Sequence, residues 1–232
     1  MSLRNKKTFN FIWLFQKSFS FLQRLLTIKN ICDMNFKPWE GENYKTGGIF
    51  GKKILAIGES FYCSEKDAVP TLTDKVVKDH LAIRNEMPRE NNGRWTNTYL
   101  KFERSLIGEE TTPEKSQEIW NSIAFYNYLQ IPMSGPRESG SSIDYKNAEN
   151  AFFEVINELQ PDLIIVWGVS KLFNNLPEDN WKWGESLKVD DYPIKNGYYQ
   201  LNNGKDVRCI AVYHPSAGYQ WDWWHKVIKE QL

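Results

Sequence analysis

His214, Asn127 and Glu59 are the residues whose types and settings suit chemistry on a planar, hydrogen-bonding ring. Each follows a run of apolar residues: G-E-S-F-Y-C (58–63) after one, Asn127 in F-Y-N-Y-L-Q within a second, and H-P-S-A-G (214–218) after another. An Asn side chain donates and accepts at once, so it pairs with an amide-like edge. A neutral imidazole donates to an oxygen that turns negative as a bond breaks. Phe61 and Tyr62 add aromatic faces, Ser60 and Ser216 hydroxyls, Glu59 a carboxylate, and Gly58 room for close approach. Each also has a structural reading: Glu59 as a cap or ion-pair partner, Asn127 as a ligand for exposed backbone, His214 as a satisfied loop histidine, Phe61 and Tyr62 as core.

The elements that must carry these residues follow from the apolar pattern. The runs 53–58, 123–129, 162–167 and 207–213 read as strands, short and apolar enough to be buried on both faces. Helical spacing covers 73–87, 95–107, a segment opened by Pro113, 145–159 and 221–231. Residues 175–206 read as irregular, apart from a strand at 198–201 and a turn at 202–204. Apolar strands alternating with helices predict an α/β fold, a three-layer α/β/α sandwich around a mostly parallel four-stranded core sheet. Ligands bind such sheets beyond the carboxyl ends of the strands, where Gly58, Asn127, Trp167 and His214 are expected to converge.

The chain has 232 residues, 41% of them hydrophobic, with 34 Trp, Tyr and Phe, which excludes global disorder. Its 29 basic and 29 acidic residues cancel, but unevenly. Residues 1–33 hold six basic groups against Asp33, leaving 23 basic and 28 acidic in 34–232. The first segment reads as a basic apolar leader outside the natural domain, and 34–232 as one α/β domain. Lys17 and Arg24 interrupt the leader's apolar patches, so no membrane span is expected. Cys32, Cys63 and Cys209, like His80, His214 and His225, are scattered. A cytoplasmic setting is expected, with no disulfide framework, no metal and no cofactor.

The order of strand, G-E-S-F-Y, strand, F-Y-N-Y-L-Q-I-P, strand L-Q-P-D-L-I-I-V-W-G, strand and H-P-S resembles the uracil-DNA glycosylase superfamily. The likeness runs from about residue 53 to the C-terminus and is strongest to the thermostable bacterial and archaeal branch. It implies a DNA partner carrying a deaminated or damaged base, a flipped nucleotide and hydrolysis of the N-glycosidic bond. It also implies roles: His214 donating to the uracil oxygen, Asn127 reading the base edge, and Ser216 touching a phosphate beside Pro215. Tyr62 would wall the pocket and Phe61 would stack on the base. The chain departs from the pattern at Ser60, where other branches have Asp or Asn to position the attacking water, and Glu59 is the carboxylate on offer. Three scattered cysteines also cannot supply that branch's four-cysteine iron–sulfur cluster. The competing readings are a catalytically silent nucleic-acid or nucleobase binding module and a hydrolase of small nucleoside-like molecules, in each case a monomer.

Three further features have two readings or a surface reading on residue type alone. Arg84, Arg89, Arg94 and Arg104 form either a phosphate-contacting ridge or, with Glu86, Glu90 and Glu103 among them, a solvated face. Trp221, Trp223 and Trp224 either stack on nucleic acid or pack the last helix. His80 and His225 are expected at the surface of their helices.

Overall fold

Three of the apolar runs become strands buried along their whole length: β2 (Ile54–Gly58), β4 (Ile123–Asn127) and β6 (Leu163–Trp167). Strands covered on both faces have this pattern. The computed structural model describes residues 35–86, 95–135, 138–216 and 218–232. Within them β11 (Asp206–Val212) joins the three in the order β4-β2-β6-β11, each neighbouring pair parallel.

The sheet as a whole is mixed and has seven strands. β1 (Trp39–Glu40) lies antiparallel on β4, while β10 (Asn196–Gln200) and β7 (Trp181–Trp183) extend the other side antiparallel to their neighbours. The strand expected at 198–201 is β10, while β1 and β7 were not expected, because β1 has two residues and β7 reads Trp-Lys-Trp with its second and third residues exposed. Two small sheets complete the strands: β3 (Phe61–Tyr62) with β5 (Pro132–Met133), and a hairpin of β8 (Leu187–Val189) and β9 (Tyr192–Ile194). The segment 175–206, expected to be irregular apart from the strand at 198–201, therefore also holds β7, β8 and β9.

Among the described residues five α-helices accompany the sheet: α1 (Leu72–Glu86), α2 (Thr96–Ile107), α3 (Pro113–Ser122), α4 (Ser142–Leu159) and α5 (Trp221–Lys229). Pro113 does open α3, and the Thr112 hydroxyl accepts from the Lys115 N–H. α4 starts three residues before the apolar spacing indicated, because Ser141 and Asp144 form a capping box. One core cluster joins alternate strand residues, among them Ala56, Phe125, Ile165 and Val212, to Leu81, Phe102, Trp120 and Trp224 of the helices. Phe152, Val155 and Ile156 of α4 are buried outside that cluster, with Phe152 packed on Tyr128 and Tyr199.

His80 is fully buried, contrary to its expected place at the surface. It shares one face of α1 with Val77 and Leu81, the i+3 and i+4 spacing of a core stripe. Its Nε2 contacts Glu103 Oε1, which also accepts from Trp120 Nε1 at 2.8 Å. Glu103 Oε2 accepts from Ser116 Oγ at 2.6 Å and Thr111 Oγ1 at 3.0 Å. Arg84 donates to the Thr111 carbonyl and Ser116 Oγ, and Arg104 is 8% exposed. The described part of the basic stretch is thus neither a phosphate ridge nor a solvated face. Arg89, Arg94 and Glu90 lie outside the described residues, as do residues 1–34, the leader among them.

His225 is half-buried, its Nδ1–H donating to the Ser105 carbonyl at 3.1 Å. Trp224 is buried and Trp221 and Trp223 pack against the core, so all three hold α5 in place. Among the described residues no helix is long and apolar enough to cross a membrane, and no group of His, Cys, Asp or Glu has the makings of a metal site.

Candidate active site

Strand register brings the expected residues to one rim. Gly58 pairs with Asn127, and Trp167 pairs with Val212, at the carboxyl ends of four adjacent parallel strands. At about 4.8 Å per strand those ends span about 14 Å, room for a base and its sugar.

Gly58 and Asn127 are fitted to each other. A Cβ at position 58 would stand 2.2 Å from Asn127 Oδ1, so the carboxamide occupies the space that only glycine leaves. Asn127 is 4% exposed, yet its carboxamide has no hydrogen-bond partner among the described residues. A carboxamide with its donors and acceptor unspent at the rim is free to pair with an amide-like ring edge. The neighbouring backbone is fixed: Tyr128 N–H donates to Gly58 O and Leu129 N–H to Glu59 O, both at 2.9 Å. Gln130 closes the corner, donating to the Asn127 carbonyl at 3.1 Å and to Tyr126 Oη at 3.0 Å while its Oε1 accepts from Phe36 N–H.

His214 follows β11 directly by way of Tyr213. The Ser216 backbone N–H, which can only donate, points at His214 Nδ1 from 3.2 Å, and Ser216 Oγ lies 2.7 Å from the same nitrogen. Nδ1 is therefore the acceptor, and the neutral ring carries its proton on Nε2. Burial holds the His214 pKa below the usual histidine value, so at neutral pH the ring is an uncharged donor. Trp167 meets it edge-on at 6.1 Å between ring centroids, and the Trp167 indole Nε1 is buried without a partner among the described residues.

No family model matches the chain, and no curated protein matches it.

The remaining expected residues take different places. Glu59 is half-buried, and its Oε1 accepts from the Tyr145 phenol of α4. Ser60 is half-buried beside it with no hydrogen-bond partner for its hydroxyl among the described residues. Phe61 is 6% exposed and packs edge-on against Phe36 at 5.2 Å within the core cluster. Tyr62 is 54% exposed and pairs in register with Met133. Cys63 follows, its thiol pKa raised by partial burial and then by the Asp67 charge. The rim thus joins Gly58, Glu59, Asn127 and, through Trp167, the His214–Ser216 turn, while Phe61 belongs to the core.

Two groups escaped the residue pattern. Tyr145 stands 86 positions from Glu59 and looks like one more apolar-face residue of its helix. The β8–β9 hairpin carries Tyr192, whose hydroxyl bonds that of Tyr213 at 2.8 Å, one residue before His214. Only a strand assignment within 187–194 would have signalled it.

Proposed function

We propose that this protein is a divergent member of the uracil-DNA glycosylase superfamily that binds an extruded nucleobase and hydrolyses its N-glycosidic bond. The observation that carries the reading is the pair of unspent polar groups on one rim: the Asn127 carboxamide over Gly58, and a neutral His214 whose Nδ1 is occupied by Ser216. An amide that donates and accepts matches the edge of uracil or another oxo-base. A neutral Nε2–H suits the base oxygen that gains charge as the bond breaks. In the reaction the C1′–N bond cleaves, the base leaves with the electron pair, water oxygen bonds to C1′, and Glu59 accepts the water proton.

The fold we assign is the superfamily's three-layer α/β/α arrangement around four parallel strands, supported by the three parallel pairings. The natural partner is DNA with a deaminated or damaged base, met by a monomer in the cytoplasm, where scattered cysteines stay reduced. Ser60, in place of the superfamily's water-positioning Asp or Asn, favours one second reading, a silent module that binds the base without releasing it.

The test is base release from single- and double-stranded oligonucleotides carrying uracil, hypoxanthine or xanthine. The expected outcome is release that His214→Ala and Asn127→Ala each lower by at least about 100-fold. Binding weakened by Asn127→Ala, with no release from any substrate, would establish the silent module instead.

A further inference from the structure

Glu59 is the one carboxylate at the rim on the expected residues, and a carboxylate that accepts a proton from water must be held in one orientation. Its backbone is held from the β4 side by Leu129 N–H. Its side chain is held by the Tyr145 phenol on the first turn of α4. Among the described residues Tyr145 is the sole hydrogen-bond partner of that carboxylate.

Tyr145 is itself fixed from three sides. The Ser141–Asp144 capping box sets where α4 begins, and so where its fourth residue lies. The Tyr128 phenol donates to the Tyr145 carbonyl at 3.1 Å. The two rings stack at 6.1 Å between centroids and 30° between planes. Tyr128 follows Asn127 directly, so the base-reading residue and the holder of Glu59 share one support.

We propose that Tyr145 is a positioning residue that locks the Glu59 carboxylate toward the rim, keeping Oε2 available for the attacking water. This rests on the base-release reading of the site. A phenol that donates to a carboxylate favours its ionised form, the form that accepts a proton. Burial, and then the Glu59 carboxylate itself, raise the Tyr145 pKa, so the phenol keeps its proton and acts only as a donor. Tyr145 takes no proton from substrate or water; the proton passes to Glu59.

The test compares Tyr145→Phe with Tyr44→Phe, which removes the phenol bond to the Leu159 carbonyl at the other end of α4, in the full chain. Tyr145→Phe keeps the ring and its stacking and removes only the donor to Glu59. The expected result is kcat lowered about tenfold with KM within about twofold, because orientation is lost while base binding at Asn127 is kept. The Glu59 side chain should then move among rotamers, read as a lower 13C relaxation order parameter at its Cγ. Tyr44→Phe should leave that order parameter where it is. Unchanged kcat with an unmoved Glu59 order parameter in Tyr145→Phe would overturn the proposal. So would equal losses of kcat in both variants that track a fall in Tm, since Tyr145 would then be a structural tie between helix and sheet. If the wild type releases no base, the base-release reading fails separately, and the Glu59 order parameter still decides whether Tyr145 sets that carboxylate.

Discussion

At the scale of the residue, the site depends on atoms that are missing as much as on those present. Gly58 has no Cβ, and the Asn127 carboxamide takes that volume at 2.2 Å from where a Cβ would stand. Gly58→Ala is therefore expected to displace the carboxamide and weaken oligonucleotide binding by about tenfold or more, at a stability cost of about 1–3 kcal/mol. A fluorescence titration and a thermal melt read the two effects, and unchanged binding would mean that Asn127 does not read the base. His214 offers a second check that needs no substrate. Its Nδ1 accepts from the Ser216 N–H, so 15N shifts of the imidazole at pH 7 should report the Nε2–H tautomer. Because burial lowers its pKa, the ring should take its second proton only below about pH 6.5, the ordinary value. A protonated ring at pH 7 would remove the neutral donor on which the proposed chemistry depends.

At the scale of the element, two tertiary devices hold what local sequence does not. Glu103 ties α1, α2 and α3 together through His80, Ser116 and Trp120. Burial alone would raise the Glu103 pKa, but the His80 bond and charge, with Ser116 and Trp120, outweigh it and hold the carboxyl below its usual range. A depressed folded pKa means that the ionised form favours the folded state. This contribution is complete above the unfolded value of about 4.3 and is lost as pH falls through the lower folded one. Glu103→Ala should cost about 3–5 kcal/mol at pH 7 and less at pH 3, read by denaturant melts at both. The second device is the β8–β9 turn, where Asp190 and Asp191 both have positive φ, 49° and 61°. A two-residue turn of this kind prefers glycine at its second position. Asp190 is held by Trp223 Nε1 and Lys226, but Asp191 has no such tie, so Asp191→Gly should raise stability by about 0.5–1 kcal/mol. These devices mark where the sequence stopped being legible. β2, β4, β6 and β11 were read to within two residues because runs buried on both faces stay apolar throughout. The hairpin and β7 were missed because three-residue strands exist through their neighbours, not through their own pattern. For the site, the rim positions followed from strand ends alone. The Tyr145 bond to Glu59 did not, because it joins a helix to a strand end 86 residues away.

At the scale of the whole molecule, charge is the constraint that any nucleic-acid reading must meet. Residues 34–232 hold 23 basic and 28 acidic groups, so that part of the chain repels a polyanion on average. Several of its cations are also already engaged: Arg84 with Thr111 and Ser116, Lys205 with Asp162, Lys226 with Asp190. The six basic residues of 1–33, against a single acid, are the largest local surplus of positive charge in the sequence. Each phosphate neutralised on a single strand releases counterions and contributes about −0.7 to the slope of log affinity against log salt. If specific binding comes from the rim and attraction from the surplus, the two separate by experiment. Replacing Arg4, Lys6, Lys7, Lys17, Arg24 and Lys29 with Gln in the full chain should flatten the salt slope for a uracil-containing single strand by about 2–4. The dependence of binding on Asn127 should persist. A slope left unchanged would assign the attraction to a local patch beside the His214 turn, and the overall acidity of 34–232 would then hide a basic groove.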